Sequence, residues 1–220
     1  MNTEQNPMYE WNTLPWRTIE RSVFKLQKRI YQASQRNDSV LVHQLQRLLI
    51  TSWSAKCLAV RRVTQDNQGK KTAGIDGIKS LSPKLRMRLV QTLRVDLKTQ
   101  PVRRVWIPKP NAPTEKRGLG IPTLFNRAAQ MLLKLALEPE WEARFEPNSY
   151  GFRPGRSCHD AIDAIYISIN QKPKYVLDAD IEKCFDRISH PALLAKLQTF
   201  PFLQRIIKRW LKAHGMRNEF

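Results

Sequence analysis

The sequence predicts an α+β fold whose N-terminal part is helical, and three observations carry the prediction. From Trp16 to Ile30, apolar residues recur at spacings of three and four, the period of an amphipathic helix. VRRVWIP (102–108) has strand propensity with arginines interspersed. KYVLDADI (174–181) reads as a second strand, with aspartates set into an apolar run. Mixed helices and strands of this kind mean α+β.

In chain order, Trp16, Ile19, Val23, Leu26 and Ile30 form the first apolar stripe, with Arg17, Arg21, Lys25, Lys28 and Arg29 around it. QRNDS (35–39) breaks the pattern and offers Asp38 or Ser39 as an N-cap. A second helix follows, with Leu41, Leu45, Leu48, Leu49 and Trp53 inward, reaching about Val60. Residues 61–77 read as a polar, glycine-punctuated loop. Ser82-Pro83 supplies a cap and first turn for a short helix over 81–93. After the 102–108 strand, 108–118 reads as a turn and GLGIP as the start of a returning strand. Pro122 opens a helix with Ala128, Leu132, Leu135 and Ala136 inward, expected to end near Glu138-Pro139. SYGFRPGRS (149–157) is a tight basic turn. Ser157, with Asp160 three residues on, makes a capping box for a helix that buries Ile162, Ile165 and Ile169. Ser189-His190-Pro191 starts a further helix.

Charge bounds the partners. The 220 residues carry 38 Lys+Arg against 19 Asp+Glu, a formal +19 with a pI near 10.3. The surplus is uneven: residues 1–110 hold 21 basic and 7 acidic side chains, residues 111–220 hold 17 and 12. Such a field attracts a polyanion, usually nucleic acid. The helical hairpin at the N-terminus concentrates it, and its basic residues are read as a nucleic-acid contact, with a merely solvated face as the alternative. An acidic membrane surface is the rival, but no segment has the roughly twenty apolar residues that span a bilayer. The N-terminus lacks the basic start and apolar stretch of a signal peptide. Cys57, Cys158 and Cys184 are too few and too scattered for a disulfide framework or a zinc site. The expectation is a reducing, cytoplasmic setting and no membrane.

The aspartates pose the chemical question. An unpaired buried carboxylate costs several kcal/mol at least, so a core strand does not carry one idly. Along 174–181 side chains alternate, with Tyr175, Leu177, Ala179 and Ile181 on one face and Val176, Asp178 and Asp180 on the other. Asp180 lies near the strand end and Asp186 follows six residues later. A carboxylate there suits Mg²⁺, a hard cation that keeps waters and binds substrate phosphates. On spacing alone, an aspartate capping a turn or pairing with an arginine explains the pattern equally well.

The residues say more than their spacing. DADIEKCFDRI resembles the first catalytic-aspartate motif of reverse transcriptases, in the version found in group II intron reverse transcriptase/maturases. RRVWIPKPN with RGLGIPT resembles that family's fingers motif, LALEPEWEARFEPNSYGFRPGRSCHDAI the long block after it, and KKTAGIDGI the segment ahead of it. The ordered matches span residues 70–190.

The resemblance implies a right-hand polymerase: a basic helical N-terminal extension (1–69) that binds RNA, fingers (70–172), and the start of a palm (173–220). It implies nucleotidyl transfer by two metal ions, with Asp180 as the catalytic Mg²⁺ ligand and the Ile181 carbonyl as a further ligand. Lys109 and Arg117 take the positions that hold the triphosphate, and Phe185 the position of a ring that rejects a 2′-hydroxyl. Structured intron RNA is the implied partner, with a DNA primer/template besides. The family usually has proline where Gly118 stands, so a loosened loop and a misplaced Arg117 are expected. Arg153 and Arg156 suit phosphate contacts ahead of a helix N-terminus; balancing Glu142, Glu146 and Asp160 explains them equally well. Trp106 and Phe152 could stack on bases, although an aromatic amid basic residues is more often anchored in a core.

A polymerase palm also needs a second acidic box, Y-x-D-D in this family, and the 220 residues do not contain it. WLKAHGMRNEF (210–220) resembles the helix ahead of the segment that precedes it. The expectation is therefore the front part of a reverse transcriptase, inactive as a polymerase by itself, with a complementing C-terminal chain as one possible partner. A non-enzymatic RNA-binding module with a vestigial palm is the alternative.

Overall fold

The computed structural model describes residues 10–95, 99–110, 112–182 and 184–213. Helix α1 (Trp16–Gln35) forms on the expected stripe and buries Ile19, Val23 and Ile30. Asn37, at φ +57°, turns the chain, and Asp38 caps α2 (Ser39–Thr51) by accepting the Leu41 N–H at 3.0 Å.

The second helix is in fact two. The chain leaves helical geometry at Ser52 (φ −62°, ψ 129°), and α3 (Trp53–Arg61) sets off beyond it. The inward face of α2 is also shifted from the expected one. Val42, Leu45, Gln46, Leu49 and Ile50 are buried, whereas Leu48 is 52% exposed. Gln46 is held in the core by its amide nitrogen, which donates to Glu140 Oε2 at 2.7 Å and to the Ala136 carbonyl at 3.4 Å, while Oε1 has no partner among the described residues. The expected loop after α3 holds a π-helical turn (Arg62–Asp66) and a 3-10 turn (Gln68–Lys71). Helix α4 (Pro83–Thr92) is capped by Ser82, as Ser-Pro foretells.

Strands β1 (Arg103–Lys109) and β2 (Ala112–Ile121) form an antiparallel hairpin. Pairing runs in register from Arg103 opposite Ile121 to Pro108 opposite Lys116, with an irregularity between Pro108 and Lys109. The returning strand thus starts at Ala112, within what reads as a turn.

Helix α5 (Leu124–Glu142) is capped by Thr123 and continues through Pro139 instead of stopping there. Proline cannot donate to the carbonyl four residues back, which is that of Leu135. Gln27 Nε2 on α1 donates to that carbonyl at 2.9 Å, so the orphaned acceptor is satisfied and the helix survives its proline. Ser34 Oγ donates to the Glu140 carbonyl at 3.0 Å, a second tie between α1 and α5.

Beyond α5 come α6 (Cys158–Ile169), α7 (Cys184–Arg187), α8 (His190–Leu197) and α9 (Pro201–Lys212). The capping box forms: the Ser157 N–H donates to Asp160 Oδ2 at 2.7 Å while Ser157 Oγ accepts from the Asp160 N–H at 3.3 Å. Ser189 caps α8. One apolar cluster joins α1 through α5 with Phe200, Leu203 and Ile206 of the C-terminal region. Ile19, Leu49, Leu132, Leu135 and Leu203 are fully buried in it, each worth about 1.5–3 kcal/mol. This core crosses both the 69/70 and the 172/173 divisions.

Two expectations fail in the same region. Residues 174–181 are extended but are not a strand, because a strand needs a hydrogen-bonded neighbour and none of the described residues pairs with them. Tyr175, Val176, Leu177 and Ile181 all stand exposed. The apolar face of α6 is open too, with Ile162 and Ile165 each 59% exposed and Ile169 45%. The pattern is amphipathic, but no described element covers it. The 214–220 part of WLKAHGMRNEF lies outside the described residues.

Candidate nucleic-acid and nucleotide site

On α1, Arg17, Arg21, Lys25 and Lys28 follow one another at spacings of four and three, with Arg29 beside the last. All five are exposed. The ridge extends over about 17 Å at 1.5 Å per residue. The helix carries one acid, Glu20, and Arg61 of α3 takes it up at 3.1 Å. Among the described residues no carboxylate pairs with the ridge, so its field faces outward undiminished.

The hairpin bears the fingers residues. Arg117 lies opposite Ile107 and shares its face, while Lys109 stands beyond the irregularity that follows Pro108. Lys109 forms an ion pair with Glu115, which holds the Glu115 carboxyl below its usual range. Arg117 is exposed, in a paired strand. Gly118 has therefore not loosened this segment; ladder hydrogen bonds hold it. Arg104 and Trp106 occupy the other face.

The turn after α5 holds Arg153 and Arg156 differently. Arg153 is buried and makes a two-pronged pair with Glu142 at 3.0 and 2.7 Å. Its remaining nitrogen donates to the Glu146 and Ser149 carbonyls, each at 2.7 Å. These bonds engage four of its five N–H donors, and with the side chain buried among them charge balance accounts for Arg153 better than a phosphate contact does. Glu142 is held below its ordinary pKa chiefly by the Arg153 hydrogen bond, against a smaller upward push from burial. Arg156 is exposed, with Nη1 donating to the Pro147 carbonyl at 3.1 Å, and keeps donors for a ligand. Phe152 is fully exposed at φ +59° and Trp106 is 52% exposed, so neither aromatic is anchored in the core.

Asp180 is exposed; Oδ1 accepts the Ile181 N–H at 2.9 Å, and the carboxylate has no ion pair among the described residues. Mg²⁺ needs near-octahedral oxygen ligands. No three His, Cys, Asp or Glu side chains among the described residues converge into such a set. One free carboxylate does not make the site, so the described residues do not fit the ion by themselves. The Asp186 side chain lies outside the described residues. Phe185 is 87% exposed and borders a cavity of about 460 Å³ shared with Arg104, Gly118, Gly120, Asn126 and His190. It therefore meets the hairpin on the face opposite Arg117. The expected nucleotide residues are not brought together.

Sequence reasoning missed the clamp behind the hairpin. Arg127 donates to the Gly69 carbonyl at 3.1 Å and the Thr72 carbonyl at 2.7 Å, and Arg103 to the Ala73 carbonyl at 3.4 Å. Gly74 lies so close to α5 that a Cβ there would come within 2.7 Å of the Pro122 carbonyl oxygen. The KKTAGIDG segment is thus sewn to the start of α5. Its two glycines were the available signal: Gly74 for close approach and Gly77 for its φ of +69°.

Comparison with known proteins agrees with this layout. The family model described as the N-terminal domain of reverse transcriptase matches residues 11–93. The model described as reverse transcriptase (RNA-dependent DNA polymerase) matches residues 107–220. Protein YkfC of Escherichia coli (strain K12) is 32% identical over 183 residues, covering 78% of this chain and 47% of that protein. Group II intron-encoded protein LtrA of Lactococcus lactis subsp. cremoris is 35% identical over 159 residues, covering 69% and 26%. Maturase-like protein 1 of Euglena gracilis is 31% identical over 191 residues, covering 83% and 41%. The chain thus spans less than half the length of each of these relatives. With both family models matched in order along it, the chain belongs to the reverse transcriptase family, in its group II intron-encoded maturase branch.

Proposed function

We propose that this chain binds structured intron RNA through the α1 ridge and supplies the fingers and first palm carboxylate of an RNA-directed DNA polymerase. The observation that carries the reading is the unneutralised row Arg17, Arg21, Lys25, Lys28 and Arg29, on a helix whose single acid is already engaged. Lys109, Arg117 and Arg156 extend the cationic surface toward a primer/template and an incoming triphosphate. Asp180, with the Ile181 carbonyl, contributes to a Mg²⁺ site only when further carboxylates join it. A second acidic box, from more of the same chain or from a complementing chain, would provide them.

The test is binding and extension with the same protein. Filter binding of intron RNA should weaken steeply as salt rises, because phosphate contacts release counterions. Arg17→Glu with Arg21→Glu should weaken it at least tenfold at moderate salt, while Asp180→Ala leaves it unchanged. Primer extension with dNTPs and Mg²⁺ should be undetectable from the 220 residues alone. It should appear when a chain bearing the second box is added, and vanish again with Asp180→Ala. Equal RNA binding by the charge-reversed protein would overturn the proposal for α1.

The exposed, unassembled Asp180 favours a second reading, a non-enzymatic RNA-binding module. On that reading the binding results stand and no complementing chain restores extension.

A further inference from the structure

Arg104 and Trp106 project from the same face of β1, and their partners across the hairpin are Gly120 and Gly118. Two bulky flat groups thus lie over two residues without side chains. The Arg104 guanidinium carbon sits 5.0 Å from the Trp106 ring centre, a cation–π contact. Gly118 makes room for it: a Cβ there would come within 3.0 Å of Arg104 Nε and 3.3 Å of Cζ. With the guanidinium already seated, Trp106 is still 52% exposed, whereas Trp11 in the core is 2% exposed. Residues 102–121 carry Arg103, Arg104, Lys109, Lys116 and Arg117 against one acid, Glu115, which Lys109 engages. Shielding the glycine backbone accounts for where the indole lies; it does not account for the half-open ring amid so many cations.

We propose that this face is a stacking platform for unpaired bases of a single-stranded nucleic acid. One base would lie on the Trp106 indole and Arg104 guanidinium, and Lys116, on the same face of β2 as Gly118, would hold its phosphate. The proposal rests on the nucleic-acid-binding reading above and adds a contact that is not ionic. Indoles and guanidinium planes are the surfaces on which exposed bases stack, and a duplex keeps its base faces covered. An acidic peptide would suit the charges but has no planar group for the open ring.

The experiment is an anisotropy titration of a short fluorescein-labelled single-stranded oligoribonucleotide, beside the same backbone carrying abasic sites. Trp106→Ala should weaken binding of the intact oligonucleotide by about fivefold or more, the size of one base–aromatic stack. The slope of log affinity against log salt should not change, since no phosphate contact is lost. Trp106→Phe should retain most of the affinity, and the abasic strand should bind wild type and Trp106→Ala alike. Equal binding of the intact strand by wild type and Trp106→Ala overturns the platform alone. No binding by wild type overturns it together with the reading it rests on. Should Trp106→Ala fail to fold, the wild-type comparison decides: equal affinity for intact and abasic strands overturns the platform.

Discussion

At the scale of single residues, the structure separates arginines that face outward from one that is used up. Arg153 is 5% exposed and Glu142 25%, and they meet at 2.7 Å. Removing one partner leaves the other partly buried without its bonds, which costs more than the pair contributes. Arg153→Ala should therefore lower stability by about 2 kcal/mol at neutral pH, read from urea unfolding. The pH dependence has a definite sign. Because the folded carboxyl of Glu142 titrates below its ordinary value of 4.5, its contribution is fully present above that value and is lost as pH falls through the folded pKa. The gap between wild type and Arg153→Ala should hold from pH 7 to about pH 5 and close in more acid solution. A gap that widens in acid would contradict the pairing. Cys57 illustrates burial acting alone: its thiol is pushed up to about 12, which leaves it inert beside the exposed Cys158 and Cys184.

At the scale of elements, sequence pattern and fold agree where a partner element exists. The α1 stripe meets α5, and the caps at Asp38, Ser82, Thr123, Ser157 and Ser189 form because each needs only its own first turn. The α6 stripe was equally legible, yet among the described residues no element covers it, and none pairs with the extended segment at 174–181. Ile165, Ile167, Ile169, Tyr175 and Val176 border an open hollow of about 650 Å³. An apolar patch of this kind promotes self-association. Ile162→Lys combined with Ile165→Lys should raise the soluble fraction on expression. The melting temperature should barely move, since exposed substitutions usually change stability within about 0.5 kcal/mol. A loss of roughly 2–5 kcal/mol, the size of a core deletion, would show that the face is covered.

At the scale of the whole molecule, the apolar cluster runs from α1 to α9 across lines that motif boundaries draw. Gln27, Ser34 and Gln46 tie the first two helices to α5 by hydrogen bonds spanning 90 or more residues of chain. A peptide of residues 1–69 would lack α5 and expose Ile19, Val23, Ile30 and Leu49. It should show weak helicity by circular dichroism and no cooperative melt, whereas the 220-residue protein melts cooperatively. Cooperative unfolding of 1–69 alone would show that the N-terminal helices are self-sufficient.

The sequence by itself determined what depends on neighbours in the chain: helix periods, caps, the hairpin, the charge surplus and the reverse-transcriptase motifs. Tertiary structure decided what depends on distant partners. The continuation of α5 through Pro139 requires an amide from α1, and the shifted face of α2 requires an acceptor on α5. Arg153 is withdrawn from solvent by Glu142, and Arg104 packs beside Trp106 in the room that Gly118 leaves by having no side chain. Asp180 marks the limit from the other side. Its motif is plain in the sequence, but a metal site is a convergence of several carboxylates, and no three such side chains converge among the described residues.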